Sequence, residues 1–351
     1  MRYAPHATPE FNTRFEVALR ALTDDVRRTI GAPLTALVLG GGYGRGEGAV
    51  IFRNGLEQPY NDLDLLLVMK HRGAVEEARL RPLRERQQKA LGVEIDFGRP
   101  LTVADIERWP CSLMWQDLLA DHIVLHGPPN IITAHAPAHL ADPLPCVEGT
   151  RLLLNRGAGL LWSMRIARRL EPTPDVDFIR RNFYKCALAL GDALLIAHGR
   201  FTPRCDGRDE RLATLLAEQP LAPCVLSLHR SALRFKLKPD DLPARRPSDD
   251  ELEALARDWT EVFLYVEQVR AGRTYRDRQA CAADRSHREP GLNRPSRWMR
   301  NAVQNLREGR LSLSYPREHL YRALPPLLTT RQDPSWDRES ARFLRTWRRY
   351  S

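Results

Sequence analysis

Long apolar runs are missing from this sequence. No segment of its 351 residues approaches the roughly 18 consecutive apolar residues that a membrane-spanning helix needs. The first residues, MRYAPHATPEF, also lack the basic and then apolar layout of a secretory signal peptide. We therefore expect a cytoplasmic protein with no membrane among its partners.

Paired cysteines are absent as well. The sequence contains six cysteines and no C-x-x-C motif; they stand at positions Cys111, Cys146, Cys186, Cys205, Cys224 and Cys281. This spacing argues against a zinc site and against a disulfide framework, and it favours reduced, buried thiols.

Lysine is scarce, with 5 residues against 49 arginines, and the positive charge is uneven. Residues 270–351 contain 19 Arg, no Lys and 8 acidic residues, a net charge of +11, whereas residues 1–269 have a net charge of −1. Such a region can attract a polyanion such as RNA. Because arginine is abundant throughout the chain, a solvated helical surface is the alternative, and Arg297, Arg300 and Arg307 on one predicted helix are the residues to test.

The first 130 residues mix helical and strand patterns. Apolar residues at three- and four-residue spacing predict an opening helix over residues 10–30. Short apolar runs predict strands over residues 34–39, 63–69 and 93–98, and the stretch DHIVLH, residues 121–126, is strand-like. Further helices are predicted over residues 73–91 and from Thr102 onwards, and residues 49–60 are predicted to form a loop or a small hairpin.

The remaining residues show helical patterns alone. The Pro-rich stretch 131–146 is interpreted as a linker between two domains. Helices are predicted after it over residues 147–171, 174–199, 208–235, 248–272, 293–309 and 333–349. The sequence therefore predicts an α+β protein, with a small mixed-sheet domain over residues 1–130 and a helical domain over residues 147–351 whose last part, 270–351, is Arg-rich.

The stretch LGGGYGRGEGAV, residues 39–50, holds six glycines directly after a predicted strand. Bare backbone of this kind brings main-chain N–H groups close to a phosphate. A dinucleotide-binding fingerprint can be placed on Gly44, Gly46 and Ala49, but that motif opens a long helix, and here a broken loop follows. A Walker loop is excluded because no Gly-Lys-Ser/Thr follows.

Two pairs of acids accompany the glycines. Asp62 and Asp64 are two residues apart at the start of one predicted strand, and Glu94 and Asp96 have the same spacing on the next. This spacing points both members of a pair to one face of a strand. Close carboxylates repel unless a cation lies between them, so the pattern predicts a magnesium site with Asp62, Asp64 and a third acid, for which Asp96 is favoured and Glu94 stays open.

The combination of Gly-Gly, R-G-E-G, N-D-L-D-L-L-L-V and E-I-D-F resembles the nucleotidyltransferase fold of the DNA polymerase β superfamily, over roughly residues 34–129. The resemblance implies that residues 1–130 form a catalytic domain. It implies that Gly41 and Gly42 bind the phosphates of a nucleoside triphosphate such as ATP. Asp62, Asp64 and Asp96 would bind two Mg²⁺ ions, with Mn²⁺ as a possible substitute. The gap between Gly42 and Asp62 is longer than in compact bacterial members of the superfamily.

Two basic residues are further candidates for contacts with the nucleotide. The helix around Lys185 is similar to the long helix that follows the catalytic domain in small-molecule nucleotidyltransferases, in which a lysine faces the triphosphate. Arg45 is predicted to neutralise charge on the pyrophosphate, with an ion pair to Glu47 or Glu10 as the alternative.

The resemblance implies transfer of a nucleoside monophosphate from a triphosphate to an acceptor hydroxyl, with release of pyrophosphate. A small-molecule acceptor is the first choice because no RNA-binding module is visible. Transfer to RNA or tRNA is the second, on the strength of the Arg-rich residues, and transfer to a protein hydroxyl is the third. A non-catalytic nucleotide-binding regulator is the alternative outside enzymology, and the three acids argue against it.

Overall fold

The computed structural model describes residues 3–73, 75, 77–219, 224–284, 286–330 and 333–350. It divides into two compact units. The first consists of Met1–Leu144 together with Thr202–Arg208 and Leu233–Ala244, and the second consists of Pro145–Phe201, Asp209–Ala232 and Arg245–Ser351.

The first unit combines helices with two small sheets. Its elements in chain order are α1 (Pro9–Ile30), β1 (Leu34–Leu39), α2 (Gly41–Gly44), β2 (Val50–Arg53), β3 (Leu56–Pro59), β4 (Leu63–Met69), α3 (Glu77–Leu91), β5 (Ile95–Asp96), α4 (Val103–Ile106), α5 (Leu113–Ala120) and β6 (Ile123–His126). Helix α1 begins where the Thr8 hydroxyl accepts a hydrogen bond from the Phe11 N–H, with Pro9 in the first helical position.

The main sheet has the strand order β5-β4-β1-β6. Strand β1 pairs antiparallel with β4 and β6, whereas β4 and β5 are parallel, so the sheet is mixed. Strands β2 and β3 form a separate antiparallel hairpin between the glycine-rich turn and β4, as predicted for residues 49–60. Its turn residues Asn54 and Gly55 both have positive φ, as a tight hairpin turn requires.

Alternation along the strands gives the main sheet two apolar faces. Leu37 and Leu39 of β1 pack on the side of α1, in a core with Phe15 and Leu19. Ala36 and Val38 of β1, Val68 of β4, Ile106 and Ile132 pack on the other side, so residues 131–144, where we expected a linker, contribute to the core of this unit. Both faces of β1 are thus buried, which explains its continuous apolar run.

The remaining helices are α6 (Val147–Ala167), α7 (Phe178–Ala197), α8 (Arg208–Glu218), α9 (Cys224–Leu237), α10 (Asp249–Ala271), α11 (Arg278–Ala283), α12 (Trp298–Arg307), α13 (Glu318–Thr329) and α14 (Trp336–Tyr350). In the second unit, α6 and α7 pack against α10, whose buried Trp259 donates its indole N–H to the Leu153 carbonyl of α6 at 3.0 Å.

The α+β class predicted from the sequence is confirmed, and several element boundaries are not. The single helix predicted over 208–235 is two helices, α8 and α9, and the intervening residues 220–223 lie outside the described part of the chain. The strand predicted over 93–98 pairs only at Ile95 and Asp96, because β5 is an edge strand and Gly98 turns the chain at a φ of 53°. Helix α13 was not predicted, since it contains Pro325 and Pro326.

Candidate active site

The glycine-rich turn follows β1 and is hydrogen-bonded to β4. The Gly40 N–H donates to the Asp64 carbonyl at 2.8 Å, which extends the β1–β4 pairing by one residue. The short helix α2 follows, and its hydrogen bonds begin where the Gly44 N–H donates to the Gly40 carbonyl at 2.9 Å. The N–H groups of residues 41–43 come before that bond, so they have no acceptor within the helix.

Gly41 needs to be a glycine for two reasons. Its φ is +60°, a left-handed conformation that costs an L side chain free energy. A Cβ atom on Gly41 would also lie 1.9 Å from Oδ2 of Asp64. The Asp64 carboxylate therefore lies directly over the bare Cα of Gly41.

Gly42 is under a weaker constraint than its neighbour. Its φ is not positive, and a Cβ atom there would lie 3.4 Å from the nearest heavy atom, the Glu47 carbonyl oxygen. The sequence motif does not distinguish Gly41 from Gly42, whereas in the structure only Gly41 of the two has to lack a side chain.

The predicted acids share one face of the sheet. Leu63 and Leu65 are buried in the core against α1, so Asp62 and Asp64 project to the opposite face, at the end of the sheet where that face is exposed. In the parallel pair β4–β5, Asp64 stands in register with Asp96. Neighbouring strands lie about 4.8 Å apart, so the structure brings these two carboxylates side by side, with Asp62 two residues before Asp64.

Glu94 lies on the same exposed face as Asp96. Its carbonyl accepts a hydrogen bond from the Leu63 N–H at 2.9 Å, which sets this residue beside the start of β4. One oxygen of Asp96, Oδ1, accepts a hydrogen bond from the Gly98 N–H at 2.7 Å. This bond fixes the orientation of Asp96, so its geometry keeps Asp96 the better candidate for the third acid.

Comparison of the chain with protein-family models and with curated proteins finds no match.

The donor set of the acids fits a magnesium ion. Mg²⁺ prefers carboxylate oxygens, and Asp62, Asp64 and Asp96 supply only these. Within the described ranges, no group of three His, Cys, Asp or Glu side chains is positioned to hold a metal ion as it stands. Adjacent carboxylates repel one another, and a divalent cation removes that repulsion, so the three groups would have to turn towards one another together with the ion.

The hairpin β2–β3 is attached to the site at both ends. The buried Tyr43 hydroxyl donates to the Ala49 carbonyl at 2.6 Å and accepts from the Tyr60 N–H at 3.0 Å. The Asn61 side chain accepts from the Ala49 N–H at 2.7 Å. These bonds hold the two ends of the hairpin together, which places Asp62 next to the glycine-rich turn.

The Arg45 side chain forms ion pairs with two carboxylates of the protein. Its side chain is 5% exposed, and it lies 3.2 Å from carboxylate oxygens of both Glu47 and Asp117. The alternative ion pair with Glu47 is thus present, and the predicted contact of Arg45 with pyrophosphate stays a prediction. Through its ion pairs with Glu47 and Asp117, Arg45 stabilises the glycine-rich turn on its buried side.

Glu47 connects this ion pair to two later segments of the chain. Its carboxylate accepts from the Cys205 N–H at 2.6 Å and lies 3.8 Å from the Lys236 ammonium, both within the first unit. Burial disfavours the charged form, but Lys236, the Cys205 N–H and Arg45 outweigh it, so the pKa of Glu47 lies below its ordinary value of 4.5. Nothing in the local sequence indicates these partners, which are more than 150 residues away.

We expect Glu47→Gln to lower the free energy of unfolding at neutral pH by roughly 1.5–3 kcal/mol, the usual loss for a hydrogen bond to a charged group. Because the pKa of Glu47 is lowered on folding, its contribution is present above pH 4.5 and declines as the pH falls further. Urea unfolding of both proteins should therefore show a gap at pH 7 that narrows below about pH 4.5. A gap that is constant with pH would contradict the role of the ionised carboxylate.

Lys185 lies on α7 in the second unit, and its side chain is exposed. Its predicted contact with the triphosphate stays a prediction.

Proposed function

We propose that this protein is a magnesium-dependent nucleotidyltransferase. The observation that supports the proposal best is the position of the Asp64 carboxylate over Gly41, with Asp96 in register beside it on β5. The turn thereby places main-chain N–H groups for phosphates next to acids for a cation. Phosphoryl and nucleotidyl transfer need both at one point.

The reaction we propose is attack of an acceptor hydroxyl on the α-phosphorus of a nucleoside triphosphate. A bond from the acceptor oxygen to the α-phosphorus forms, the bond from that phosphorus to the bridging oxygen breaks, and pyrophosphate leaves. The N–H groups of Gly41, Gly42 and Tyr43 would donate to phosphate oxygens. Asp96, held by the Gly98 N–H, would accept the hydroxyl proton.

Asp62, Asp64 and Asp96 would hold the magnesium ions. When bound, the ions would neutralise charge on the phosphates and on the attacking oxygen. By holding the ions, the three residues would orient the reactants. The backbone of Asp64 is fixed in position by the hydrogen bond from the Gly40 N–H to its carbonyl.

We propose a small-molecule hydroxyl as the acceptor, as the sequence favours. Proteins that bind single-stranded RNA usually stack bases on exposed aromatic rings. In the Arg-rich residues 270–351, as far as they are described, Tyr275, Tyr321, Trp336 and Tyr350 are buried, and Trp298, at 46%, is the one exposed aromatic ring. A single exposed ring offers little surface for stacking, which supports a small acceptor over RNA.

A binding experiment and a transfer experiment test the proposal. Magnesium plus the correct ribonucleoside triphosphate should raise the melting temperature, because a ligand at 100 times its Kd adds about 2.7 kcal/mol of stability. Incubation with each α-³²P-labelled triphosphate, magnesium and fractionated cell extract should label a small molecule. No shift and no labelled product with any of the four triphosphates would contradict the proposal; a shift without product would favour a nucleotide-binding regulator.

A further inference from the structure

Helix α12 is attached to the second unit through its polar side. Asn301 and Asn305 are buried, although asparagine usually faces solvent. The Asn301 amide donates to the carbonyls of Leu292 and Leu313 at 3.0 and 3.1 Å. The Asn305 amide donates to the carbonyls of Ser312 and Ser314 at 3.0 and 2.7 Å. These bonds hold the loop after α12 against the helix.

The apolar side chains of the same segment face solvent. We call the exposed apolar side chains on one side of α12, Met299, Val303 and Leu306, the α12 apolar face; Trp298 at the start of the helix and Leu311 and Leu313 in the following loop are exposed as well. Met299 and Leu311 are 85% and 93% exposed. At about 100° per residue, Met299, Val303 and Leu306 lie within one narrow sector of the helix. A clustered apolar surface of this kind marks an interaction site.

Positive charge borders this face. Arg300 and Arg307 lie beside Val303 on the surface of α12. Arg294 and Arg297 precede the helix in the sequence, and all four arginines are exposed. None of the four has an ion-pair partner within the part of the chain that the structure describes. The one acidic residue of segment 290–314, Glu308, contacts Arg349 instead. The partner of the α12 apolar face should therefore be apolar and anionic together.

We infer that the α12 apolar face docks on the surface of an anionic lipid bilayer. The apolar side chains enter the boundary of the acyl chains, and the arginines stay at the level of the anionic headgroups. Two copies of the chain would bring unpaired arginines together, and Trp298 is the one exposed ring in the described part of residues 270–351 on which an RNA base could stack. The docking is peripheral, since no helix within the described residues is long and apolar enough to cross a membrane.

Co-sedimentation of the full chain with vesicles tests this inference independently of the proposed enzyme activity. We expect binding to phosphatidylcholine vesicles that contain a quarter phosphatidylserine, little binding to pure phosphatidylcholine, and weaker binding at high salt. Met299→Asp with Leu306→Asp should weaken binding at least ten-fold. Arg300→Glu with Arg307→Glu should do so too, because each basic residue at such a surface contributes a factor of roughly five.

Val176→Asp is the matched control, since Val176 is an equally exposed aliphatic residue, at 88%, elsewhere in the second unit. It should bind vesicles as the wild type does. Three results would overturn the inference. The first is no binding to anionic vesicles, and the second is binding that the arginine reversals weaken but the Asp substitutions do not. The third is self-association or RNA binding through the same residues: a dimer in a mass measurement, or retention of the protein on RNA, that is lost when Met299 and Leu306 are substituted.

Discussion

Asp64→Asn is expected to reduce nucleotide transfer by about a thousand-fold or more, because in the proposed reaction it removes charge at the point where phosphate and acceptor would meet. The free energy of unfolding should stay within about 0.5 kcal/mol of the wild type, since the side chain is exposed and fills no core volume. Release of labelled pyrophosphate and urea unfolding measure the two quantities. Asp24→Asn, on the exposed side of α1, is the control for the loss of one negative charge.

The same assay distinguishes the two candidates for the third acid. If Asp96 accepts the proton and binds the metal, Asp96→Asn should resemble Asp64→Asn, and Glu94→Gln should retain most of the activity. The opposite result would transfer the role to Glu94. Turnover near the wild-type rate in Asp64→Asn would contradict the metal site altogether.

Gly41→Ala is expected to reduce transfer by about a hundred-fold and to destabilise the fold. The positive φ alone costs an alanine about 1–2 kcal/mol. The added Cβ would also lie 1.9 Å from Oδ2 of Asp64, so the carboxylate has to leave its position over the turn. A misplaced catalytic group of this kind costs about a hundred-fold in rate.

Two glycines of the same unit separate these effects. Gly31 has a φ of +74° and nothing within 4 Å of an added Cβ, so Gly31→Ala measures the cost of the backbone conformation alone. Gly42→Ala measures the presence of a methyl group in the turn without the clash with Asp64. We expect both to keep near wild-type turnover. If Gly42→Ala were as damaging as Gly41→Ala, the contact with Asp64 would not be the cause.

That the acids of each pair share one face of a strand could be predicted because this pattern is local. The alternation in D-L-D and E-I-D determines which side chains share a face of a strand. That Asp64 and Asp96 are neighbours depends on the parallel pairing of β4 with β5, which no local pattern reveals. The difference between Gly41 and Gly42 is of the same kind, since it arises from the position of Asp64 on another strand.

The orientation of α12 could not be predicted for a different reason. Its apolar spacing predicts a helix correctly, and the usual rule places the apolar side inward. The structure buries Asn301 and Asn305 instead, because their amides satisfy backbone carbonyls of the adjoining loops. Those acceptors belong to irregular segments, whose conformation no periodic sequence pattern predicts.

The first unit includes residues 202–208 and 233–244, so it cannot be completed early during synthesis on the ribosome. Glu47 needs Cys205 and Lys236 to balance its buried charge, so the support behind the glycine-rich turn stays incomplete until residue 236 has emerged. At a synthesis rate of about 5–20 residues per second, this is roughly 5–20 s after residue 144 is made. The first unit therefore completes its folding only after α6, α7 and α8 have been synthesised in full, and a fragment cut at residue 144 would lack this support permanently.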